Sequence, residues 1–158
     1  MPLPSTISDL STSAILNSPA GTDPISNTLD DYLRSIQGIL KSQFAQGTAI
    51  TVSGSTITIP ETGSAFLVSA STTQTVTGLS SNFSGRVVAL QFQDGNITLT
   101  NSASLILPNA TSYTSAANDV LVFVSKGSGI WQCVSGKPLA GTIPVLTYAG
   151  TTTSVRVY

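Results

Sequence analysis

The chain has 158 residues and a formal net charge of −1, because its 6 Lys and Arg nearly balance its 7 Asp and Glu. One main domain core is expected at this length. No basic run occurs along the sequence. The positive surface that would neutralise phosphates is therefore missing, and we expect no nucleic-acid binding.

Charged residues make up only 8% of the chain, against about 25% in typical soluble proteins. Its polarity comes instead from hydroxyl groups, with 24 Ser and 22 Thr. Thr suits half-exposed strands and Ser suits turns, whereas helical surfaces are normally covered by Lys, Glu, Arg and Gln. The composition therefore predicts a mainly β protein. A surface with so few ions commonly becomes a subunit interface, so we also expect a homo-oligomer.

Several classes of site and location are disfavoured by what the sequence lacks. No stretch of about 18 apolar residues occurs, so we expect no membrane insertion. The first residues lack the basic and apolar regions of a signal peptide, which predicts synthesis and folding in the cytosol. Cys133 is the only cysteine, which excludes an internal disulfide and predicts a buried thiol. Without a phosphate-binding or dinucleotide-binding glycine motif, we expect no cofactor, and we expect no metal.

The N-terminal part combines an arm with one helix. Four prolines among small polar residues predict an extended arm over residues 1–25. Apolar residues then recur at helical spacing and predict an amphipathic helix over residues 29–44. Its apolar positions are Leu29, Tyr32, Leu33, Ile36, Ile39 and Leu40. Thr28 with Asp31 resembles a capping box, and Gly47 supplies a stop.

Two alternative roles remain for this helix. Leu29, Tyr32, Ile36 and Ile39 follow the 3-4-3 spacing of a short coiled coil between subunits. The same residues could instead pack on the β domain of their own chain. Gly38 costs about 1 kcal/mol in a helix interior relative to Ala, which we expect the close approach of another backbone to offset.

After Gly47 the apolar periodicity changes to two, which predicts a β body. Its strands are expected over residues 49–53, 55–59, 65–70, 73–77, 86–93, 96–100, 104–107, 120–125, 130–135, 143–148 and 152–158. About ten short strands indicate an antiparallel sandwich or a barrel-like body. We therefore divide the chain into an attachment region, residues 1–46, and a β-rich oligomerising body, residues 47–158.

Three turns predict hairpins in this body. Gly54 separates the first two strands, Asp94-Gly95 joins LQFQ to NITLT, and the glycine-rich residues 126–129 join VLVFVS to IWQCVS. Strict alternation turns Gln132 away from the core. The predicted core positions of the β body are Val88, Leu90, Phe92, Phe123, Trp131 and Cys133.

The sequence offers little for catalysis. It contains no histidine, so Ser-His-Asp and Cys-His arrangements cannot form. Its carboxylates are Asp9, Asp23, Asp30, Asp31, Glu61, Asp94 and Asp119. Turn and helix-start chemistry accounts for Asp94, Asp30 and Asp31, and solvated loop carboxylates account for Glu61 and Asp119. A glycosidase-like pair is conceivable but unsupported, so we expect a protein that is not an enzyme, with no catalytic residues.

Two segments resemble known virion proteins. Residues 17–44, which contain LDDYLRSIQ, resemble the N-terminal attachment regions of tailed-bacteriophage fibres and related virion proteins, where a Pro/Gly-containing arm leads into a short helix. Residues 85–136, with SLILP and a W-x-C in the last hairpin, are similar to a β module of phage tail fibres and minor virion structural proteins. Together the segments cover about half of the chain.

The resemblance implies a trimeric β assembly whose N-terminal part fastens to the particle. The leading expectation is a short tail-fibre subunit of the virion, made in the host cytoplasm, with a tail adaptor, nozzle or capsid protein as its partner. The alternative is a capsid decoration or head-fibre protein. A second alternative is a glycan-binding module for host attachment, which would place Trp131 or exposed tyrosines against a host surface glycan.

Overall fold

The computed structural model describes residues 3–13, 16–17 and 29–135. Over these residues the chain is mainly β with one α-helix, α1 (Leu29–Gln43), which confirms the predicted class and the predicted helix. The predicted strands over residues 143–148 and 152–158, and the proposed cap at Thr28, lie outside the described residues.

Eleven short strands follow α1 in the described part of the chain. They are β1 (Ile50–Thr51), β2 (Thr56–Ile57), β3 (Ala65–Ser69), β4 (Gln74–Val76), β5 (Gly78–Leu79), β6 (Val87–Phe92), β7 (Ile97–Leu99), β8 (Leu105–Ile106), β9 (Tyr113–Thr114), β10 (Val120–Gly127) and β11 (Ile130–Cys133). Short 3-10 turns lie at Ile7–Asp9 in the arm and at Pro108–Ala110 before β9.

The strands stack in a solenoid-like arrangement, and not in a clear sandwich or barrel. Strands β1, β3 and β6 lie side by side in parallel, with Phe66 opposite Leu90. Two further stacks are also parallel, β2 with β5 and β4 with β7. Successive coils of the chain therefore stack strand on strand, three deep at β1, β3 and β6 and two deep in the other two stacks.

The last strands of the described chain reverse direction. Strand β9 pairs antiparallel with β7, and β10 pairs antiparallel with β6. The predicted hairpin between β10 and β11 is confirmed, with Phe123 opposite Cys133. Strand β11 then pairs in parallel with β8. The reversal thus joins two sides of the stack into one six-stranded sheet, in the order β1-β3-β6-β10-β11-β8.

The other two predicted hairpins are wrong. The strands on either side of Gly54 pair with β3 and β5, and not with each other. Likewise β6 and β7, on either side of Asp94-Gly95, lie in different sheets. Both turns are corners where the chain passes from one side of the solenoid to the next. A tight turn fixes a change of direction, but it does not decide which strands pair.

One hydrophobic core fills the solenoid, because alternate residues of each strand point inward. In β6 the alternation is strict: Val88, Leu90 and Phe92 are fully buried, while Val87 is 52% exposed. The other large side chains that are fully buried include Trp131, Phe66, Phe123, Ile57, Ile97, Leu99 and Leu105.

Polar side chains satisfy the backbone at the corners. Asp94 accepts hydrogen bonds from the backbone N–H of Ala70 and of Asn96, both at 2.9 Å, and the Asn96 amide donates to the Ala70 carbonyl at 2.7 Å. The Ser102 hydroxyl likewise donates to the Thr77 carbonyl at 2.8 Å. Each bond satisfies backbone that leaves a strand, and several connect one coil to the next. Apart from Asp94, hydroxyls and amides satisfy these corners, which matches the hydroxyl-rich composition.

Candidate interaction surface

Helix α1 forms where the sequence predicts it. Asp30 and Asp31 occupy its first turn and Lys41 its last, as the helix dipole favours. Asp30 and Arg34, four residues apart, form an ion pair at 3.2 Å, with both side chains largely exposed. Such an exposed i,i+4 pair contributes only about 0.3–0.5 kcal/mol. The helix must therefore draw most of its stability from docking.

The end of α1 docks on the β body through backbone contacts. The N–H of Gly63 donates to the Ser42 carbonyl at 2.8 Å, and the N–H of Ser64 donates to the Ala45 carbonyl at 3.1 Å. Gly47 lies against the ring of Phe66, and a Cβ at Gly47 would come within 2.1 Å of that ring. Close packing on the β body therefore accounts for Gly47. The predicted helix stop does not, because α1 ends at Gln43 and Gly47 does not adopt the left-handed conformation of a helix-ending glycine.

Only a narrow side of α1 is buried within the chain. Tyr32 and Ile39 are 3% exposed. Leu29, Leu33 and Leu40 are each about half exposed, and Ile36 is intermediate. Two of the four residues of the predicted coiled-coil spacing therefore pack on their own chain. The three half-exposed leucines, which we call the leucine stripe, are only partly covered by the part of the chain that the structure describes.

The described part of the arm contacts this helix. The Ser35 hydroxyl donates to the carbonyl of Pro4, and α1 contacts the turn Ile7–Asp9. The carboxylate of Asp9 accepts hydrogen bonds from the backbone N–H of Ser5 and Thr6, which hold the pKa of Asp9 below its usual value. The arm thus includes a short 3-10 turn and is not extended throughout.

An apolar surface lies on the outer side of the six-stranded sheet. Its side chains point away from the core along β6 and β10, and we call it the valine face: Val87, Ala89, Val120, Val122 and Val124. Val87 and Val120 are 52% and 50% exposed. A groove of about 670 Å³ runs between this face and the end of α1, where Leu40 and the 84%-exposed Phe44 line it.

The outer side of the sheet formed by β4, β7 and β9 is polar. There the outward positions are threonines: Thr75 lies opposite Thr98, and Thr98 opposite Thr114. The hydroxyls of Thr98 and Thr114 lie 3.2 Å apart and share a hydrogen bond. The outer side of this sheet exposes threonine hydroxyls to solvent, whereas the outer side of the six-stranded sheet exposes valine side chains.

The six residues predicted for the β-body core, Val88, Leu90, Phe92, Phe123, Trp131 and Cys133, all lie in the single hydrophobic cluster of the described chain. Trp131 is fully buried, and its indole N–H donates to the Ser80 carbonyl at 2.9 Å. A sugar ring stacks only on an aromatic face that it can reach, so Trp131 cannot serve as a glycan platform. Burial raises the pKa of the Cys133 thiol.

The three carboxylates of the β body do not converge on one site. Asp94 is held in its corner as described above. Asp119 accepts hydrogen bonds from the Tyr113 hydroxyl and from the backbone N–H of Ala116 at 2.8 Å, so it supports a loop and is not simply solvated. Glu61 is exposed. Among the described residues no cluster of His, Cys, Asp and Glu could hold a metal ion.

Arg86 is a buried cation that the sequence interpretation missed. It is only 4% exposed, and its Nη2 donates to the carbonyls of Pro60 at 2.6 Å and Gly63 at 2.9 Å. Its Nε and Nη1 are buried without a partner among the described residues. Burial lowers the pKa of Arg86, and the charge of Glu61 partly offsets this effect. Its position in the period-two pattern could have predicted this burial, because Arg86 lies two residues before Val88 and four before Leu90, on the side of the strand that faces the core.

The sequence analysis also missed the valine face, although its signal is visible in VLVFVS, where inward and outward positions are both apolar.

No helix in residues 3–13, 16–17 and 29–135 is long and apolar enough to cross a bilayer. No protein-family model, curated protein or solved structure matches the chain.

Proposed function

We propose that this chain is a non-enzymatic structural subunit of a bacteriophage particle, a short tail-fibre protein that works as a homotrimer. Its N-terminal region would fasten it to a tail adaptor, nozzle or capsid protein. The observation that carries the assembly part of this proposal is the leucine stripe of α1. The bacteriophage part is supported by the sequence resemblance of residues 17–44 and 85–136.

The leucine stripe supports self-association on energetic grounds. Leu29, Leu33 and Leu40 are about half exposed on one side of a 15-residue helix. Covering the exposed half of one leucine gains about 1 kcal/mol. The same three leucines on each of several chains would together supply a useful fraction of an assembly energy. The low charge of the chain works in the same direction, since few ions would have to be desolvated.

The chemistry of the β body supports a structural role. The sequence has no histidine, and the side chains of Asp94 and Asp119 already accept backbone hydrogen bonds. The solenoid-like stack, with hydroxyls and amides satisfying its corners, suits a rigid projecting element. The alternative of a head-fibre or decoration protein uses the same surfaces at another place on the particle. The glycan-binding alternative loses its main candidate residue, because Trp131 is buried.

Two measurements test the proposal. Native mass spectrometry of the purified protein should give three times the chain mass of 16.2 kDa, and a monomer at micromolar concentration would contradict the trimer. Electron microscopy of particles that carry a labelled copy should place the label at the tail. Label on the capsid would favour the head-fibre alternative, and label absent from purified particles would contradict a virion role.

A further inference from the structure

The groove beside α1 has the size and the lining of a site for a small apolar molecule. Its volume of about 670 Å³ falls within the range of about 300–1,000 Å³ that is usual for ligand sites. Several separate segments line it: the arm, the end of α1, the loop before β6, and the outer side of β6 and β10. Its apolar lining residues include Ile7, Leu40, Phe44, Phe83, Ala89 and Val122.

One cation lies in this otherwise uncharged lining. Arg86 is the only charged residue among the described residues that line the groove, and it is only 4% exposed. Its Nη2 donates to the carbonyls of Pro60 and Gly63. Its Nε and Nη1 are buried and have no hydrogen-bond partner among the described residues. A buried donor without an acceptor is costly, so an anion that reaches these two atoms satisfies donors that folding has already desolvated.

No side-chain carboxylate of the β body supplies that acceptor. The charge of Glu61 acts on Arg86, but Glu61 is exposed and does not line the groove. The other two carboxylates, those of Asp94 and Asp119, accept hydrogen bonds from backbone N–H groups in their own loops. An apolar groove with a single unsatisfied cation therefore matches a ligand with an apolar body and one negative charge.

We propose that the groove binds a free fatty acid, with its carboxylate at Arg86 and its acyl chain along the valine face. A lipid held in a bilayer keeps its head group in the polar interface, whereas the cation of this site is a buried side chain. The ligand therefore enters as a single molecule and not as part of a membrane. This inference stands apart from the proposed function, since one chain contains the whole groove and needs neither a trimer nor a particle.

Isothermal titration calorimetry of the full-length protein with sodium decanoate, below its micelle concentration, tests the class of ligand. One decanoate should bind per chain. Octanoate should bind about tenfold more weakly, because each buried methylene contributes about fourfold in affinity. Acetate, which lacks the chain, and decyltrimethylammonium, which reverses the charge, should each bind at least about tenfold more weakly than decanoate. Equal binding of decanoate and decyltrimethylammonium would overturn the proposal.

Two tryptophan variants test the location. Ala89→Trp places a large side chain in the groove and should weaken decanoate binding at least about tenfold. Thr75→Trp is the matched control, because it places the same side chain at an exposed outward position on the threonine-bearing sheet, and it should leave the affinity unchanged. Circular dichroism checks that both variants fold. Unchanged affinity in folded Ala89→Trp would put the ligand elsewhere and overturn the proposal.

The Nε–H resonance of Arg86 gives a test that leaves the groove unaltered. In ¹⁵N-labelled protein this resonance, assigned by its loss in Arg86→Lys, should shift when decanoate is added and stay in place with decyltrimethylammonium. Arg34 is the internal control, because its side chain is 73% exposed in the pair with Asp30, and its resonance should not move. Decanoate binding without a shift at Arg86 would overturn the proposal.

A neighbouring copy is the competing occupant of the groove. If the apolar surface of a second chain fills it, the assembled protein should show no saturable decanoate binding, and that result would overturn the proposal. A monomeric protein that binds decanoate at Arg86 would contradict only the trimer. A trimer that binds three decanoates would support the site and the assembly together.

Discussion

Arg86 shows how one residue can fix the end of a solenoid. Its guanidinium lies in line with the inward residues of β6 and reaches the carbonyls of Pro60 and Gly63 in the corner before β3. Gly63 in turn donates to the end of α1. The same side chain therefore holds the corner on which the helix docks, although two of its buried donor atoms have no partner among the described residues.

We expect Arg86→Ala to lower the free energy of unfolding by about 3 kcal/mol, because two charge-assisted hydrogen bonds are lost and a cavity remains. Arg34→Ala is the matched control: this side chain is 73% exposed in its pair with Asp30, and its loss should cost less than about 1 kcal/mol. Urea unfolding of both variants measures the difference. Equal losses would show that the buried bonds of Arg86 contribute nothing beyond an exposed ion pair.

The bond between Tyr113 and Asp119 predicts a dependence of stability on pH. Burial, and then the bond to the Asp119 carboxylate, raise the pKa of Tyr113 well above its ordinary value of 10.0. A group whose pKa is raised by folding stabilises the fold below its unfolded pKa and ceases to do so as the pH rises. The contribution of Tyr113 is therefore complete at neutral pH and falls above about pH 10.

Tyr113→Phe removes this contribution. The variant should be less stable than the unaltered protein at pH 7 by about 1–3 kcal/mol, because the Asp119 carboxylate loses a donor. The difference between the two proteins should shrink between about pH 9 and pH 11. Chemical unfolding of both proteins at several pH values measures this difference in stability. The contributions of Cys133, the Lys residues and the other tyrosines cancel, because both proteins contain them. A difference that stays constant through pH 11 would contradict a raised pKa.

At the scale of single elements, the sequence predicted where the helix and most strands lie along the chain, but it did not predict which strands pair. Helix α1 ends within one residue of its predicted end, because apolar spacing and acidic first-turn residues are local signals. Strands β3, β6, β7 and β10 also fall where alternation places them. An alternating apolar pattern predicts which side chains of a strand share a face. It does not predict the neighbouring strand, because parallel and antiparallel pairing give the same alternation. Strands β5 and β9 were missed, because Gly78–Leu79 and Tyr113–Thr114 each contain a single large apolar side chain and lie outside a longer apolar run.

At Gly38 the expected close approach of another backbone is not found within the described part of the chain. A Cβ at this position would meet nothing within 4 Å there, so no described backbone of the same chain makes use of the missing side chain. The free-energy cost of Gly38 relative to Ala in the interior of α1 is therefore not offset by packing. Gly38→Ala should raise the free energy of unfolding by about 0.5–1 kcal/mol.

Gly54→Ala is the control for the Gly38 variant, because it also adds a methyl group into open space but at a φ of +121°. Strain in that region should make it destabilising by about 1–2 kcal/mol. Thermal unfolding under identical conditions compares the two. Loss of stability in Gly38→Ala would indicate that a neighbour covers this side of α1, as in the assembled state.

Across the whole molecule, the candidate interaction surface depends on tertiary placement that no local pattern contains. The apolar spacing predicts one apolar side of α1, but it does not show which part of that side the same chain buries. Tyr32 and Ile39 face the chain, and the leucine stripe lies beside them and stays exposed. The valine face is similar, because VLVFVS fits a strand buried on both sides equally well. Both surfaces therefore become visible only when the described neighbours are in place.

The leucine stripe gives the last prediction, at the scale of the assembly. Leu33 is 53% exposed in the single chain, so Leu33→Glu should alter the stability of that chain by less than about 1 kcal/mol. If the stripe lies between subunits, the carboxylate is buried there without a partner. We then expect the variant to dissociate at concentrations that leave the unaltered protein assembled, as measured by analytical ultracentrifugation.

Lys41→Glu is the matched control for this assembly experiment. It introduces the same carboxylate on α1, at an exposed position away from the stripe. This variant should keep the native mass, and circular dichroism should show the same strand content in all three proteins. Assembly of Leu33→Glu at the unaltered affinity would remove the leucine stripe from the interface, and equal weakening by Lys41→Glu would point to charge instead of burial. Dissociation confined to Leu33→Glu would place α1 between the subunits.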